Sequence, residues 1–392
     1  MAAHPAVGRA REYGLDWLRV TAFLILILYH TGMFFVPWAW HVKNPEKSAS
    51  LTWVMLFFNR WRLPLLFFIS GAGVFFSLRR REYGEFARER LVRLGIPLLF
   101  GMLVVVPPQI YFERLARGQF HGSYLEFWPS VLRGVPYPEG NTSWHHLWFV
   151  VYILVYSLFC IPLFKLLKSP RGRNAVDALA RFFERPGAIY LINIPNMLVA
   201  LTLGPHWPAT NNLYADWANL TGSLLTFLWG FIICGSERFL GLIERKRREF
   251  LTVACVMTVV FYGGRILGLD RMVQGVLVDA YFALAWILTA LGYSRAKLNR
   301  PSTLLAYATE AVYPFYIVHQ TITIFIAYYM ITWRAPVAVK FPLLAAGTFV
   351  GSWLAFEIAR RTAVTRALMG LRPRSKRSAS EIPATTSARP AK

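Results

Sequence analysis

Two histidines of this chain lie inside long apolar runs, His30 within Trp17–Val36 and His319 within Thr303–Ile331. An imidazole titrates near neutral pH, so such residues can take and return a proton in a site shielded from water. His30 follows Asp16 by about 21 Å along a helix, and His319 follows Thr303 by about 24 Å. If both helices start at the same membrane face, the two rings lie at similar depth. A lone histidine in a helix is usually a hydrogen-bonded structural residue; two at matched depth point to proton transfer. His145 and His146 stand at the entry to another apolar run.

Charged groups inside spans are costly and are functional candidates by default. Asp16 and Arg19 are three residues apart and can pair on one helix face, either as part of a site or as an interfacial anchor. Arg90 and Arg93 share the same spacing, and paired guanidinium groups suit bidentate binding of phosphate. Arg79, Arg80 and Arg81 need no more explanation than ordinary basic loop charge. Arg265 and Asp279 flank a tight turn and are placed to meet as a buried ion pair of structural purpose. Ser70-Gly71 and Glu310 are further polar positions within apolar runs. Nucleophile-elbow, Walker, zinc-protease and dinucleotide motifs are absent. Cys160, Cys234 and Cys255 all sit in apolar runs without metal-like spacing and read as core residues, so neither a metal nor a tightly bound cofactor is expected.

The elements that must hold these groups follow from composition. Of 392 residues, 56% are hydrophobic, 16% aromatic and only 16% charged. A soluble fold of this length could not bury so much apolar surface, and a disordered chain would lack it. The remaining class is all-α: a polytopic integral membrane protein of about ten transmembrane helices. The expected spans are Trp17–Val36, Leu51–Leu78, Leu94–Phe112, Leu147–Phe164, Ala188–Gly204, Leu220–Phe239, Phe250–Leu269, Val273–Tyr293, Thr303–Ile331 and Phe341–Ala359. In the second, Asn59-Arg60-Trp61-Arg62 leaves two readings, one tilted helix or a surface helix followed by a span. The first run lacks a small-residue cleavage site and is read as an uncleaved span.

The net charge of +23 would suggest a nucleic-acid partner in a soluble protein. In a membrane protein its placement matters more. With a cytoplasmic N-terminus, 31 of the 43 Lys and Arg residues fall in alternating cytoplasmic segments or at their edge. Both termini are therefore expected in the cytoplasm of a multi-pass cell-membrane protein, with membrane lipid and not nucleic acid as the surrounding partner. Three parts result: a cytoplasmic N-terminus at 1–16, a transmembrane domain at 17–359, and a basic, disordered cytoplasmic tail at 360–392 lying against anionic lipid. The outer connection 113–146 is long enough to form a lid.

Several of these residues resemble the signatures of the membrane acyltransferase 3 family. Leu15-Asp16-Trp17-Leu18-Arg19 with His30 is similar to its first-helix motif, and Pro64 through Gly71 to its second. Phe86, Arg90, Arg93 and Pro97 match its F-x-x-x-R-x-x-R-x-x-x-P pattern. His146 through Val150, and Tyr313 through Gln320, look most like the branch containing glucan biosynthesis protein C. Val20, where many relatives carry glycine, departs from the pattern.

The resemblance implies a bacterial inner-membrane O-acyltransferase that moves an acetyl or succinyl group from cytoplasmic acyl-CoA to a hydroxyl of an extracytoplasmic carbohydrate. His30 would be the base, and Arg90 and Arg93 would hold the CoA phosphates. His319, Asp16 and Arg19 join His30 as catalytic candidates. Ser70, His146, Trp148 and Tyr316 are candidates for substrate binding or for the oxyanion. This division of labour needs a continuous passage between the arginine and histidine levels. A proton-coupled transporter or glycan exporter is the competing reading, weakened by the lack of an internal repeat. A non-catalytic membrane subunit is a third. Oligomeric state is left open.

Overall fold

The structure, a computed structural model, describes residues 12–373. Its helices are α1 (Tyr13–Met33), α2 (Ala49–Leu78), α3 (Tyr83–Ala116), α4 (Trp148–Phe159), α5 (Ile161–Lys168), α6 (Pro170–Phe183) and α7 (Ile194–Thr202). They continue as α8 (Trp217–Gly235), α9 (Glu237–Arg245), α10 (Arg247–Ile266), α11 (Arg271–Leu298), α12 (Thr303–Met330), α13 (Val337–Ala359) and α14 (Ala363–Leu368). No strand forms among the described residues beyond an isolated bridge between Pro136 and Thr142. The protein is an all-α, multi-pass membrane protein.

Among the described residues eight helices are long and apolar enough to cross a membrane, and the α4–α5 pair, bent by 55°, brings the number to nine when it is counted as one broken span. The expected tenth span at 188–204 is not formed as such. Asn193 and Pro195 divide it into a 3₁₀ segment, Ala188–Asn193, and the short α7. Together these reach at most about 30 Å even if collinear and fully tightened, at the lower edge of what a bilayer core needs. α2 takes the first of its two readings: it is one continuous helix, with Ser48 Oγ accepting from Leu51 N at 3.2 Å and Pro64 inside it. α3 begins earlier than expected, so Arg90 and Arg93 belong to its first turns; it also contains two π-helical stretches, Leu91–Gly95 and Gly101–Val105. Wide turns of this kind re-aim side chains within a helix.

The face where α1 begins is called near, and the face where it ends far. α2 and α8 cross in close contact because glycines meet carbonyls. A Cβ on Gly71 would lie 1.8 Å from Phe227 O, and one on Gly230 would lie 1.9 Å from Phe68 O. Small residues of this kind let membrane helices approach at backbone distance. On the near face Arg295 gathers Glu12, Glu237 and Glu244 at 3.2, 2.8 and 3.0 Å, tying α11 to α9 and to the residue preceding α1. On the far face Arg265 makes a two-pronged pair with Asp279 at 2.8 and 2.9 Å, as its spacing suggested, and Arg60 joins at 3.0 Å.

One expectation is corrected. Cys160 and Cys234 are buried, but Cys255 is exposed, because most of α10 faces outward with an apolar surface suited to lipid. Residues 360–373 pack onto the bundle: α14 caps its start with Thr362, Arg366 binds Glu310 at 3.0 Å, and Leu371 is buried. Residues 374–392, and His4 with the rest of 1–11, lie outside the described residues.

Candidate active site

A cavity of about 790 Å³ opens between α1, α2, α3 and α12. That is within the range of small-molecule sites. Asp16, Arg19, Ser70, Arg90, Arg93 and Tyr316 all line it, together with Arg79, Arg80, Arg81 and Arg372. The structure thus brings together six of the ten residues singled out in the sequence. Arg19 Nη1 lies 3.4 Å from Asp16 Oδ1, the expected pair. Arg93 is held by Glu89 at 3.1 Å and by Gly370 O at 3.3 Å, so the ordered tail helps to shape the cavity. Gly370 is left-handed (φ +64°), and a Cβ there would lie 2.3 Å from the Tyr313 ring. Arg90 stands over the Phe86 ring at 5.0 Å, and its Nε is buried with no hydrogen-bond partner. Ser70 spends its hydroxyl on Leu66 O at 2.8 Å.

His30 and His319 lie beyond the cavity and meet each other. His319 Nε2 is 3.1 Å from His30 Nδ1. His319 Nδ1 faces the carbonyls of Tyr316, at 2.7 Å, and Phe315, at 3.2 Å. Carbonyls only accept, so Nδ1 of neutral His319 carries the proton and its Nε2 is an acceptor. His30 must then donate from Nδ1, which leaves its own Nε2 with a lone pair. The network delivers His30 in the tautomer a general base requires.

Tyr316 closes the cavity beneath this pair. Its ring packs edge-on against Phe23, with centroids 5.5 Å apart, and lies 6.1 Å from Phe149. Its hydroxyl donates to the backbone carbonyl of His146. The cavity lining ends at Tyr316, whose ring centroid is 6.0 Å from that of His319, and reaches neither histidine, so the continuous passage expected between the arginine and histidine levels is not open in this structure.

His146 and Trp148 stand apart from the cavity. His146 donates from Nε2 to Ile317 O at 2.9 Å and accepts at Nδ1 from Gln109, 3.2 Å away, so both ring nitrogens are committed to packing α3 and α4 against α12. Trp148 packs at a tilt against Phe67 and edge-on against Tyr152, with ring centroids 6.0 and 5.0 Å away.

Arg62 was missed in the sequence. It is 3% exposed on α2, stacked over the Tyr29 ring at 3.6 Å, with Nε and Nη1 buried and unpartnered. A buried guanidinium with vacant donors beside a base is suited to stabilise developing negative charge. The signal was the Asn59–Arg62 interruption, which reads as a possible helix end when only hydropathy is followed.

The 117–147 connection folds back over the far end. Trp128 Nε1 donates to Leu103 O at 2.9 Å and Tyr137 donates to Glu113 at 2.7 Å. Burial and that carboxylate push the Tyr137 phenol pKa up, so it stays a neutral donor.

Residues 12–357 match the acyltransferase 3 family, described as an acyltransferase domain, so this multi-pass bundle is a membrane acyltransferase. The chain belongs to that family. It is similar to the glucans biosynthesis protein C of Escherichia coli K12, 24% identical over 82% of this chain and 84% of the relative. The protein of the same name from E. coli O139:H28 is 24% identical over the same shares. No solved structure matches the chain.

Proposed function

We propose that this membrane acyltransferase takes an acetyl or succinyl group from acyl-CoA in the cytoplasm and places it on a hydroxyl of an extracytoplasmic glycan. The observation that carries the reading is the stacking of levels. Arginines line a cavity near one face, among them Arg90 with a buried Nε that has no hydrogen-bond partner, and an oriented histidine pair lies beyond Tyr316 at its end. In this reading the near face is cytoplasmic, consistent with the basic loops found there, and the membrane is the bacterial inner membrane.

Arg90 and Arg93 bind the CoA phosphates at the cavity mouth, where charge-assisted hydrogen bonds are strong. The thioester reaches the histidine level when the Tyr316 ring swings aside. His30 Nε2 accepts the proton of the acceptor hydroxyl as its oxygen attacks the thioester carbonyl. Arg62 offers Nε and Nη1 to the resulting oxyanion. Collapse of that intermediate breaks the C–S bond, and the proton held by His30 goes to the CoA thiolate. The glycan acceptor is proposed from the name of the relatives.

The test is transfer of labelled acyl groups in inverted membrane vesicles supplied with acetyl-CoA or succinyl-CoA and periplasmic glycan. Label should appear on glycan with wild type and vanish with His30→Ala. Wild-type turnover in that variant, or flux of glycan without loss of acyl-CoA, would overturn the reading.

A further inference from the structure

Outside the cavity and the histidine pair, one cluster of ligating groups is used by nothing described so far. His41, from the connection between α1 and α2, Glu113, near the end of α3, and His145, ahead of α4, each present a ligand atom. All three atoms lie within 4.8 Å of one another. We infer that His41, Glu113 and His145 form a binding site for a divalent transition metal of the zinc type at the far end of the bundle. Two imidazoles and one carboxylate are a donor set that zinc takes in open, three-ligand sites. With bonds near 2.0–2.2 Å, a separation of 4.8 Å needs only a small inward movement of side chains.

The outer contacts are those a metal site needs. Glu113 is fully buried; its Oε1 is held by Tyr137 at 2.7 Å and Arg117 at 2.8 Å, leaving Oε2 directed at His41. His145 Nδ1 meets Ser143 Oγ at 2.7 Å, while its Nε2 is buried and has no hydrogen-bond partner. That orphaned nitrogen is the independent sign of a missing ligand, since a buried polar atom is ordinarily satisfied. His41 presents Nδ1 toward Glu113, and its Nε2 lies 3.2 Å from the Gln320 amide. Gln320 adjoins His319, so the metal would brace three separate segments over the histidine pair.

The experiment uses the full-length protein in detergent, stripped with chelator and dialysed against zinc or cobalt(II), with metal counted by mass spectrometry and cobalt coordination read by visible absorption. Wild type should hold about one equivalent with a tetrahedral cobalt spectrum. His145→Ala should weaken binding at least tenfold, and Ser143→Ala, which removes only the orienting contact, about 10- to 100-fold. Zinc should raise the melting temperature of wild type and not of His145→Ala. Wild type without metal, or a His145→Ala variant that loads as wild type does, would overturn the site and leave His41–Glu113 as a plain hydrogen-bonded dyad. The wild-type count stands even if a variant fails to fold, and none of these readouts depends on acyl transfer.

Discussion

His319 Nε2 accepts a hydrogen bond from His30 Nδ1 at 3.1 Å, because His319 Nδ1 is already committed to the carbonyls of Tyr316 and Phe315. One ring thus sets the tautomer of the other, and they should fail differently. General-base catalysis is worth about 10²–10⁴-fold, so His30→Ala should lower kcat by that factor with little change in KM for acyl-CoA. His319→Gln can still accept from His30 and should retain more activity than His319→Ala. Steady-state kinetics in vesicles check the order; equal losses in the two His319 variants would remove the positioning argument.

Arg62 gives a second prediction. Loss of a single oxyanion donor costs about 10²–10³-fold in kcat. Arg62→Met keeps the stem over Tyr29 while deleting the donors, and should lose that much kcat with unchanged binding of acyl-CoA. A variant that lost CoA affinity instead would place Arg62 on the donor side of the reaction.

These two residues mark what was legible beforehand. The matched depth of His30 and His319 could be read by counting helical rise, as could the Asp16–Arg19 pair, because that geometry lies within single helices; the contact between the two rings depends on how α1 packs against α12. Arg265–Asp279 needed only one hairpin. Arg62 was hidden because its charge interrupts an apolar run, and hydropathy cannot separate a helix end from a buried guanidinium stacked on a ring. The His41–Glu113–His145 cluster was invisible for another reason: its members are far apart in the chain and meet only through tertiary packing. The failed tenth span reflects Asn193 and Pro195, whose local effect on the helix is lost in a window average.

Arg90 and Arg93 should govern donor binding. A hydrogen bond to a charged group contributes about 1.5–3 kcal/mol, so Arg90→Ala should raise the Kd for CoA roughly tenfold to a hundredfold. Arg93→Ala should do less, because Glu89 and Gly370 already share its donors. Calorimetric titration with CoA and with dephosphorylated pantetheine separates the phosphate contribution, which should vanish for pantetheine.

Tyr316 tests whether the closed aromatic layer must open. Tyr316→Phe keeps the ring but deletes the hydrogen bond to the His146 carbonyl, so the layer should open more readily while still sealing at rest. Tyr316→Ala should leave a standing channel, detectable as thioester hydrolysis without acceptor and as access of a near-side thiol reagent to a cysteine placed at position 30. A cysteine there that stays unreactive in the alanine variant would show that the route to the histidines runs elsewhere.

Gly71 offers a prediction about stability alone. Its hydrogen faces Phe227 O where α2 crosses α8, and the reciprocal contact is made by Gly230 against Phe68 O. A methyl group placed 1.8 Å from that carbonyl cannot be absorbed by a rotamer change, since the obstacle is backbone. Overpacking costs about 1–3 kcal/mol where side chains can yield, and more is expected here. Gly71→Ala should therefore lower the melting temperature in detergent markedly, and Gly71→Leu should prevent stable insertion. Gly84→Ala, at a position with open space around it, is the matched control and should melt like wild type. Because Ser70 and Gly71 adjoin the cavity, surviving Gly71→Ala protein should also bind CoA more weakly as α2 is displaced from α8. Unaltered stability and binding would mean that this crossing does not position the site.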